Sequence, residues 1–156
     1  MKAAKKIPET APDIYNRSVA LLGMKGVKAF AHIHNNTDFI AVIRNGVPKK
    51  ALDSLLENTG ISVSEIAHII KTSDRTLRRY TPQQKLGPDQ SERLIELATL
   101  YSRGEEVFGS IEAFKEWMNS TILALGNKKP KEFLDTSMGI DMLMDELGRI
   151  EHGIFA

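Results

Sequence analysis

With 156 residues, 42% of them hydrophobic, the chain suits one compact domain or two small ones sharing a core. No segment approaches the roughly 18 apolar residues of a membrane-crossing helix, and Met1 to Lys6 is basic without the apolar stretch of a signal peptide. A cytoplasmic protein is therefore expected, and the absence of cysteine excludes disulfides, thiolate metal sites and cysteine catalysis.

The net charge of +1 hides an asymmetry. Through Lys85 there are 14 Lys/Arg against 7 Asp/Glu, whereas from Leu86 onward 7 Lys/Arg face 13 Asp/Glu. A basic front suits an anion such as nucleic acid, and an acidic back suits a different partner. Ordinary solvated helix faces would give the same count.

In chain order, Met1 to Ala11 carries Lys2, Lys5, Lys6 and Pro8 with little apolar content and reads as a disordered arm. From Asp13 to Gly46, Val19, Leu21, Leu22, Val27, Phe30 and Ile33 form short helical pieces broken at Gly23 and Gly26. The apolar run Phe39 to Ile43 ends at Asn45-Gly46, a helix terminus with Gly where left-handed geometry is needed. Pro48 opens the next helix, which spaces Leu52, Leu55 and Leu56 on one face and closes at Gly60.

Ser62-Val63-Ser64-Glu65 has capping-box spacing, and Ile66, Ala67, Ile69 and Ile70 give that helix its buried face. A break at Lys71-Thr72 and a cap at Ser73 open a short helix from Asp74 to Tyr80, ended by Pro82. A long helix from about Asp89 to Phe108 carries Leu94, Leu97, Ala98 and Tyr101 on one face. Ser110 caps another with Ile111, Phe114, Trp117 and Met118 at helical spacing. After Gly126-Asn127 and Pro130, Asp135-Thr136-Ser137 caps a last helix striped by Ile140, Leu143, Met144, Leu147 and Ile150. No strand alternation or internal repeat appears, so the chain reads as an all-α helical bundle.

The segment ISVSEIAHIIKTSDRTLRRYTP joins a capped helix, a sharp turn and a short basic helix, the pattern of a helix-turn-helix. Its second helix would enter the major groove, where arginine forks to guanine or phosphate and hydroxyls donate to the backbone. Lys71, Ser73, Arg75, Thr76, Arg78 and Arg79 are the candidate DNA contacts, with Ile66 and Leu77 holding the two helices together. Lys71 departs from the pattern, since such turns often carry Gly.

The ending RIEHGIFA, Arg149 to Ala156, places an aromatic, a charged pair and a carboxylate where termini are normally polar. Phe155 there needs either a groove in its own domain or a partner's pocket. His32, His34 and Asp38 invite a metal, but i and i+2 on a helix point to different faces and no further ligand follows at a familiar spacing. Asp141, Asp145, Glu146 and Glu151 sit on the polar side of an amphipathic helix with no nucleophile or phosphate loop beside them, so solvation is their expected role. Met138, Met142 and Met144 read as core or adaptable interface packing. No catalytic constellation, metal site or cofactor motif is found.

The whole arrangement from about Phe39 onward resembles the Xre/MbcA/ParS-type antitoxins of RES-Xre toxin–antitoxin systems. The matching residues are NGVP at Asn45 to Pro48, TGIS at Thr59 to Ser62, SDRTLRRY at Ser73 to Tyr80, VFGS at Val107 to Ser110, FLDTSMG at Phe133 to Gly139 and LGRIEHGIFA at Leu147 to Ala156. Residues 1–38 contribute little to the likeness. Residues 1–38 read as an N-terminal arm with short helices, and the resemblance implies two parts beyond it: an Xre-like helix-turn-helix DNA-binding domain (39–85) and a helical toxin-binding domain (86–156).

It further implies a non-enzymatic antitoxin that represses its own operon and occludes a RES-domain toxin, an ADP-ribosyltransferase-like enzyme that consumes NAD or modifies a target with it. The toxin-binding residues would be Arg149, Glu151, Gly153, Ile154, Phe155 and Ala156. Gly153 would let the chain leave the last helix, Phe155 would fill an apolar recess, and the charged groups would meet the lining of an anionic-dinucleotide site. Operator DNA and the toxin are the expected partners, with a homodimer or a higher hetero-oligomer as the assembly. The alternative is a stand-alone transcription factor whose C-terminal part dimerises or senses a ligand.

Overall fold

A computed structural model describes residues 7–153 of the chain, with side chains for residues 14–153. Among the described residues there are eight α-helices: α1 (Ile7–Leu21), α2 (Asn36–Asn45), α3 (Lys49–Thr59), α4 (Val63–Ile69), α5 (Asp74–Arg79), α6 (Pro88–Phe108), α7 (Ile111–Met118) and α8 (Ser137–Glu151). Short 3-10 turns lie at Lys28–Phe30, Leu123–Leu125 and Pro130–Phe133. There is no strand among these residues, only isolated antiparallel bridges at Pro48–Lys85 and Ile122–Lys128. None of the helices is long and apolar enough to cross a membrane.

Helix α6 is the axis of the bundle. It packs against α1, α2, α3, α7 and α8, and the sequence expectation of one apolar face is too narrow. Ile95, Leu100, Ser91, Ser102 and Gly104 are buried along with Leu94, Leu97, Ala98 and Tyr101. A helix covered on most of its circumference needs apolar or small residues nearly all round. Pro88 at its first position and Gly109, left-handed at φ 88°, fix its two ends.

The arm expected over Met1 to Ala11 is corrected for its second part: residues 7–11 belong to α1, and residues 1–6 lie outside the described residues. The start of α1 has no local helical signature; tertiary packing of its later turns supplies one. Val19, Leu21 and Leu22 are buried, and the buried Ser18 hydroxyl donates to the Ile14 carbonyl at 2.7 Å and lies 3.2 Å from the Ser102 hydroxyl of α6. Arg17 closes the same contact from outside, its guanidinium forking onto Glu105 at 2.6 and 3.1 Å. After α1 the chain turns at Gly23 and Gly26, both with positive φ, as the glycine breaks suggest.

The remaining boundaries follow local chemistry. Asn35 caps α2, accepting the Asp38 N–H at 2.9 Å, and Asp38 accepts the His34 N–H at 2.8 Å. Pro48 is the N-cap of α3 rather than its first helical residue. Gly60, at φ 79°, ends that helix in left-handed geometry. The core is continuous, running from Phe39, Leu52 and Leu55 through Ile66 and Leu77 to Phe114, Leu143 and Leu147.

Candidate functional site

The capping box at the start of α4 is complete: the Ser62 hydroxyl accepts the Glu65 N–H at 3.1 Å, and the Glu65 carboxylate accepts the Ser62 N–H at 2.9 Å. The turn that follows is built on Lys71, which adopts φ 61°. This is the left-handed position where such turns often carry Gly, so the backbone is standard and the residue is not. Ser73 then caps α5, its hydroxyl accepting the Thr76 N–H at 3.1 Å and donating to the Thr76 hydroxyl at 2.9 Å. Ile66 and Leu77 are buried between the two helices, and the Ser64 hydroxyl donates to Asp74 at 2.8 Å across them.

Of the six residues expected to contact DNA, Ser73, Arg75, Thr76, Arg78 and Arg79 stand together on or just before α5. Arg75, Arg78 and Arg79 are exposed. Arg78 lies 3.8 Å from Asp74, a loose surface pair of little energetic weight. Arg75 and Arg79 form no ion pair among the described residues. Lys71 is placed differently: its ammonium donates to the backbone carbonyl of Asp135 at 3.0 Å, just ahead of α8.

That contact belongs to a seam between α4 and the C-terminal elements. Gln90 donates to the Ile70 carbonyl at 3.4 Å, and Lys131 sits 4.0 Å from Glu65. A cleft of about 640 Å³ opens along the seam, with Glu65, His68, Lys115 and Lys131 among its lining residues. Tyr101 lines it too, and burial, reinforced by the charge of Glu65, pushes the phenol above its ordinary value of 10.0. The phenol is a neutral part of the wall.

Helix α8 begins where Thr136 accepts the Gly139 N–H at 2.9 Å. A Cβ on Gly139 would stand 2.2 Å from the Phe133 carbonyl oxygen, so the helix start rests directly on the preceding 3-10 turn. Ile140, Leu143 and Leu147 are buried as the stripe predicts, with Met144 and Ile150 half-buried beside them. Met138, at 79% exposure, and Met142 face outward. Of the three methionines, only Met144 packs against the core.

The expected solvation of the α8 carboxylates holds for Asp141 and Asp145, which are exposed, and is corrected for the other two. Glu146 is 9% exposed and takes the Arg149 guanidinium at 3.0 and 2.5 Å. Glu151 is gripped by Arg103 of α6: one guanidinium nitrogen donates at 3.1 Å and the other closes the fork. The same Arg103 donates to Glu106 at 3.1 Å. The Arg103 hydrogen bond holds the Glu151 carboxyl below its ordinary 4.5, and Glu151 in turn raises the guanidinium above its ordinary range.

Arg103 was not a candidate from the sequence, because nothing local links it to a residue 48 positions away. Arg149 and Glu151 are therefore engaged within the chain, anchoring the last turn of α8. Gly153 follows, exposed and left-handed at φ 71°, with no heavy atom of the described residues within 4 Å of a would-be Cβ. Ile154, Phe155 and Ala156 lie outside the described residues.

The two histidines are not on a helix as the metal argument assumed. They occupy the loop before α2 with ring centroids 6.5 Å apart, and Asp38 serves the start of that helix.

Comparison with known proteins gives two family models in succession. Residues 38–98 match a model described as the antitoxin Xre-like helix-turn-helix domain, and residues 103–153 match one described as the antitoxin Xre/MbcA/ParS C-terminal toxin-binding domain. A protein named Antitoxin Xre from Yersinia enterocolitica is 27% identical over 158 residues, covering 100% of both chains. A protein named Prs ADP-ribosylating antitoxin from Sphingobium sp. is 26% identical over 129 residues, covering 76% of this chain and 81% of that one. A chain of the M. tuberculosis MbcT-MbcA toxin–antitoxin complex aligns with TM-score 0.49 and 18% identity, covering 80% of this chain and 100% of that one.

Proposed function

The chain belongs to the Xre/MbcA/ParS antitoxin family and is the antitoxin of a toxin–antitoxin system; from that premise we propose that it blocks the active site of a RES-domain toxin with its C-terminal segment and represses its own operon through α4 and α5. The toxin is an NAD-consuming or ADP-ribosylating enzyme, in keeping with the name of the Sphingobium relative. The antitoxin itself performs no chemistry and works in the cytoplasm, as a homodimer or a larger hetero-oligomer with its toxin. Two-fold symmetry would set two copies of α5 on paired operator half-sites.

The observation that carries this reading is the exit of α8. A helix end pinned to α6 by Arg103, and stiffened within its own last turns by the Arg149–Glu146 pair, leads into a left-handed Gly153 with open space around it among the described residues. A segment leaving from a fixed stem loses less orientational freedom on insertion than one leaving from a frayed helix. Ile154, Phe155 and Ala156 then supply the contacts, with Arg149, Glu151 and Gly153 as the stem. Occlusion needs no acid, base or metal. Separately, Ser73, Arg75, Thr76, Arg78 and Arg79 contact DNA, with Lys71 supporting the turn.

The test is co-expression of the adjacent reading frame with the full chain and with a truncation ending at Gly153, which keeps α8 and its two pairs. Co-purification and cellular NAD are followed. Protection by the full chain and its loss in the truncation are expected. Co-purification and undiminished protection by the truncation would refute the role of the tail. Absence of any toxin partner would favour the stand-alone transcription factor.

A further inference from the structure

Segment 81–85, which follows the second helix of the helix-turn-helix, is a polar link by sequence. In the fold it is fastened to the start of α3. Lys49 N–H donates to the Gln84 carbonyl at 2.8 Å, Lys50 N–H to the Pro82 carbonyl at 2.9 Å, and Leu86 N–H to the Val47 carbonyl at 2.8 Å. Pro48 and Lys85 form the antiparallel bridge between the two segments. Gly46 is required at this seam. Its φ is 92°, and a Cβ there would meet the Leu86 carbonyl oxygen at 2.9 Å and the Lys85 Cβ at 3.1 Å.

The zipper draws together cations that are far apart in sequence. Lys50 and Lys85 are exposed and form no ion pair among the described residues. Arg78 and Arg79 stand only four and three residues before Pro82, whose carbonyl holds Lys50. Lys49 is distinct, being paired with Asp53 at 3.0 Å. The acidic groups nearby are Asp53, already engaged by Lys49, and Asp89 in the first turn of α6. The amides of Lys49 and Lys50 are occupied by the zipper, so an anion here would be met by the ammonium groups alone.

We propose that Lys50 and Lys85 form a phosphate-binding ledge beside α5, contacting the sugar–phosphate backbone of duplex DNA while α5 occupies the groove. This rests on the DNA-binding reading and extends it to a surface outside the helix-turn-helix. Two lysines on a fastened ribbon offer point charges without base recognition, which suits positioning rather than sequence discrimination. Continuity with Arg78 and Arg79, together with the positive charge of the N-terminal half, makes a phosphodiester backbone the fitting partner.

The experiment titrates full-length protein with a mixed-sequence duplex and with its own promoter fragment, by fluorescence anisotropy at several salt concentrations. Wild type is compared with Lys50→Ala, Lys85→Ala, the double variant and Lys25→Ala. Lys25 is an exposed lysine in a recess with Glu105 and Glu106, near the other end of α6 and about 26 Å along the helix from Pro88. Each ledge variant should lower the slope of log affinity against log salt by roughly 0.9, and the double variant by roughly 1.8, equally on both DNAs. Lys25→Ala should leave the slope unchanged.

Circular dichroism melts confirm that all variants are folded. If wild type binds with salt dependence and the double variant keeps the wild-type slope, or matches Lys25→Ala, the ledge is refuted while DNA binding stands. If wild type binds neither duplex, the DNA-binding reading fails and the ledge with it.

Discussion

Gly104→Ala tests the packing of α7 on the central helix. A Cβ at this position would stand 2.3 Å from Cδ1 and 2.4 Å from Cε1 and Cγ of Phe114, against a comfortable carbon–carbon separation of about 3.5–4.0 Å. The ring must therefore retreat by more than about 1 Å. It has nowhere to go. Phe114 is fully buried, with Tyr101 edge-on at 5.0 Å, Trp117 stacked at 5.8 Å and Phe108 at 6.0 Å between ring centroids.

Overpacking of this kind costs about 1–3 kcal/mol, while replacing a helical glycine by alanine returns about 0.8–1.0 kcal/mol. With no slack around the ring, the upper part of the overpacking range applies and the net loss is about 1–2 kcal/mol. For a chain of this length that lowers Tm by about 2–8 °C. Thermal unfolding followed by circular dichroism gives the number, and the near-ultraviolet signal of Trp117 reports the disturbed ring cluster. In a Phe114→Ala background the same Gly104→Ala change should become neutral or stabilising, because every clashing atom of the Phe114 side chain, Cγ included, is gone and the propensity gain remains. A Tm at or above wild type for Gly104→Ala alone would refute the argument.

Gly139→Ala should cost more than Gly104→Ala, since its Cβ meets the Phe133 carbonyl oxygen, a backbone atom that no rotamer change can move; comparative melts decide. Ser62→Ala removes the acceptor of the α4 capping box and should destabilise by about 0.5–2 kcal/mol in a urea titration. Arg103→Ala and Glu151→Ala should each cost about 0.5–1 kcal/mol, as expected of a partly exposed fork, and the double variant should cost little more than either single one. The carboxyl of Glu151 is held below its ordinary 4.5 in the folded state, so its contribution is present above that value and is lost as pH falls through the folded-state value. Glu151→Gln should accordingly flatten the acid limb of the stability profile, and an acid limb identical to wild type would contradict the pairing.

The helix-turn-helix was legible because its signals are short-range. Ser62 with Glu65, the Lys71-Thr72 break, Ser73 with Thr76, and the apolar spacing from Ile66 to Ile70 all act within one or two turns, and the structure keeps every one. The stripe of α8 was legible for the same reason. What escaped depends on residues distant in sequence. The first turns of α1 carry no apolar period of their own, and their helix is supported by later turns resting on α6. Gly104 is only a weak point in a helical pattern until Phe114 folds back onto it. Glu146 and Glu151 share the spacing of solvated carboxylates, and only the positions of Arg149 and Arg103 reveal their partners. The approach of Lys85 to Pro48 is likewise invisible in a segment of Thr, Pro and Gln.

The junction between the two family matches, residues 98 and 103, falls inside α6 rather than in a loop. That helix is floor to both halves, with Leu94, Leu97, Leu100 and Tyr101 all buried. Exchange of toxin-facing halves between relatives cannot simply be spliced at a flexible hinge. A chimera must carry α6 together with the surfaces of α1, α2 and α3 that rest on it, or repack them. Recombination that exchanges the C-terminal half is thereby tied to the body that carries the helix-turn-helix.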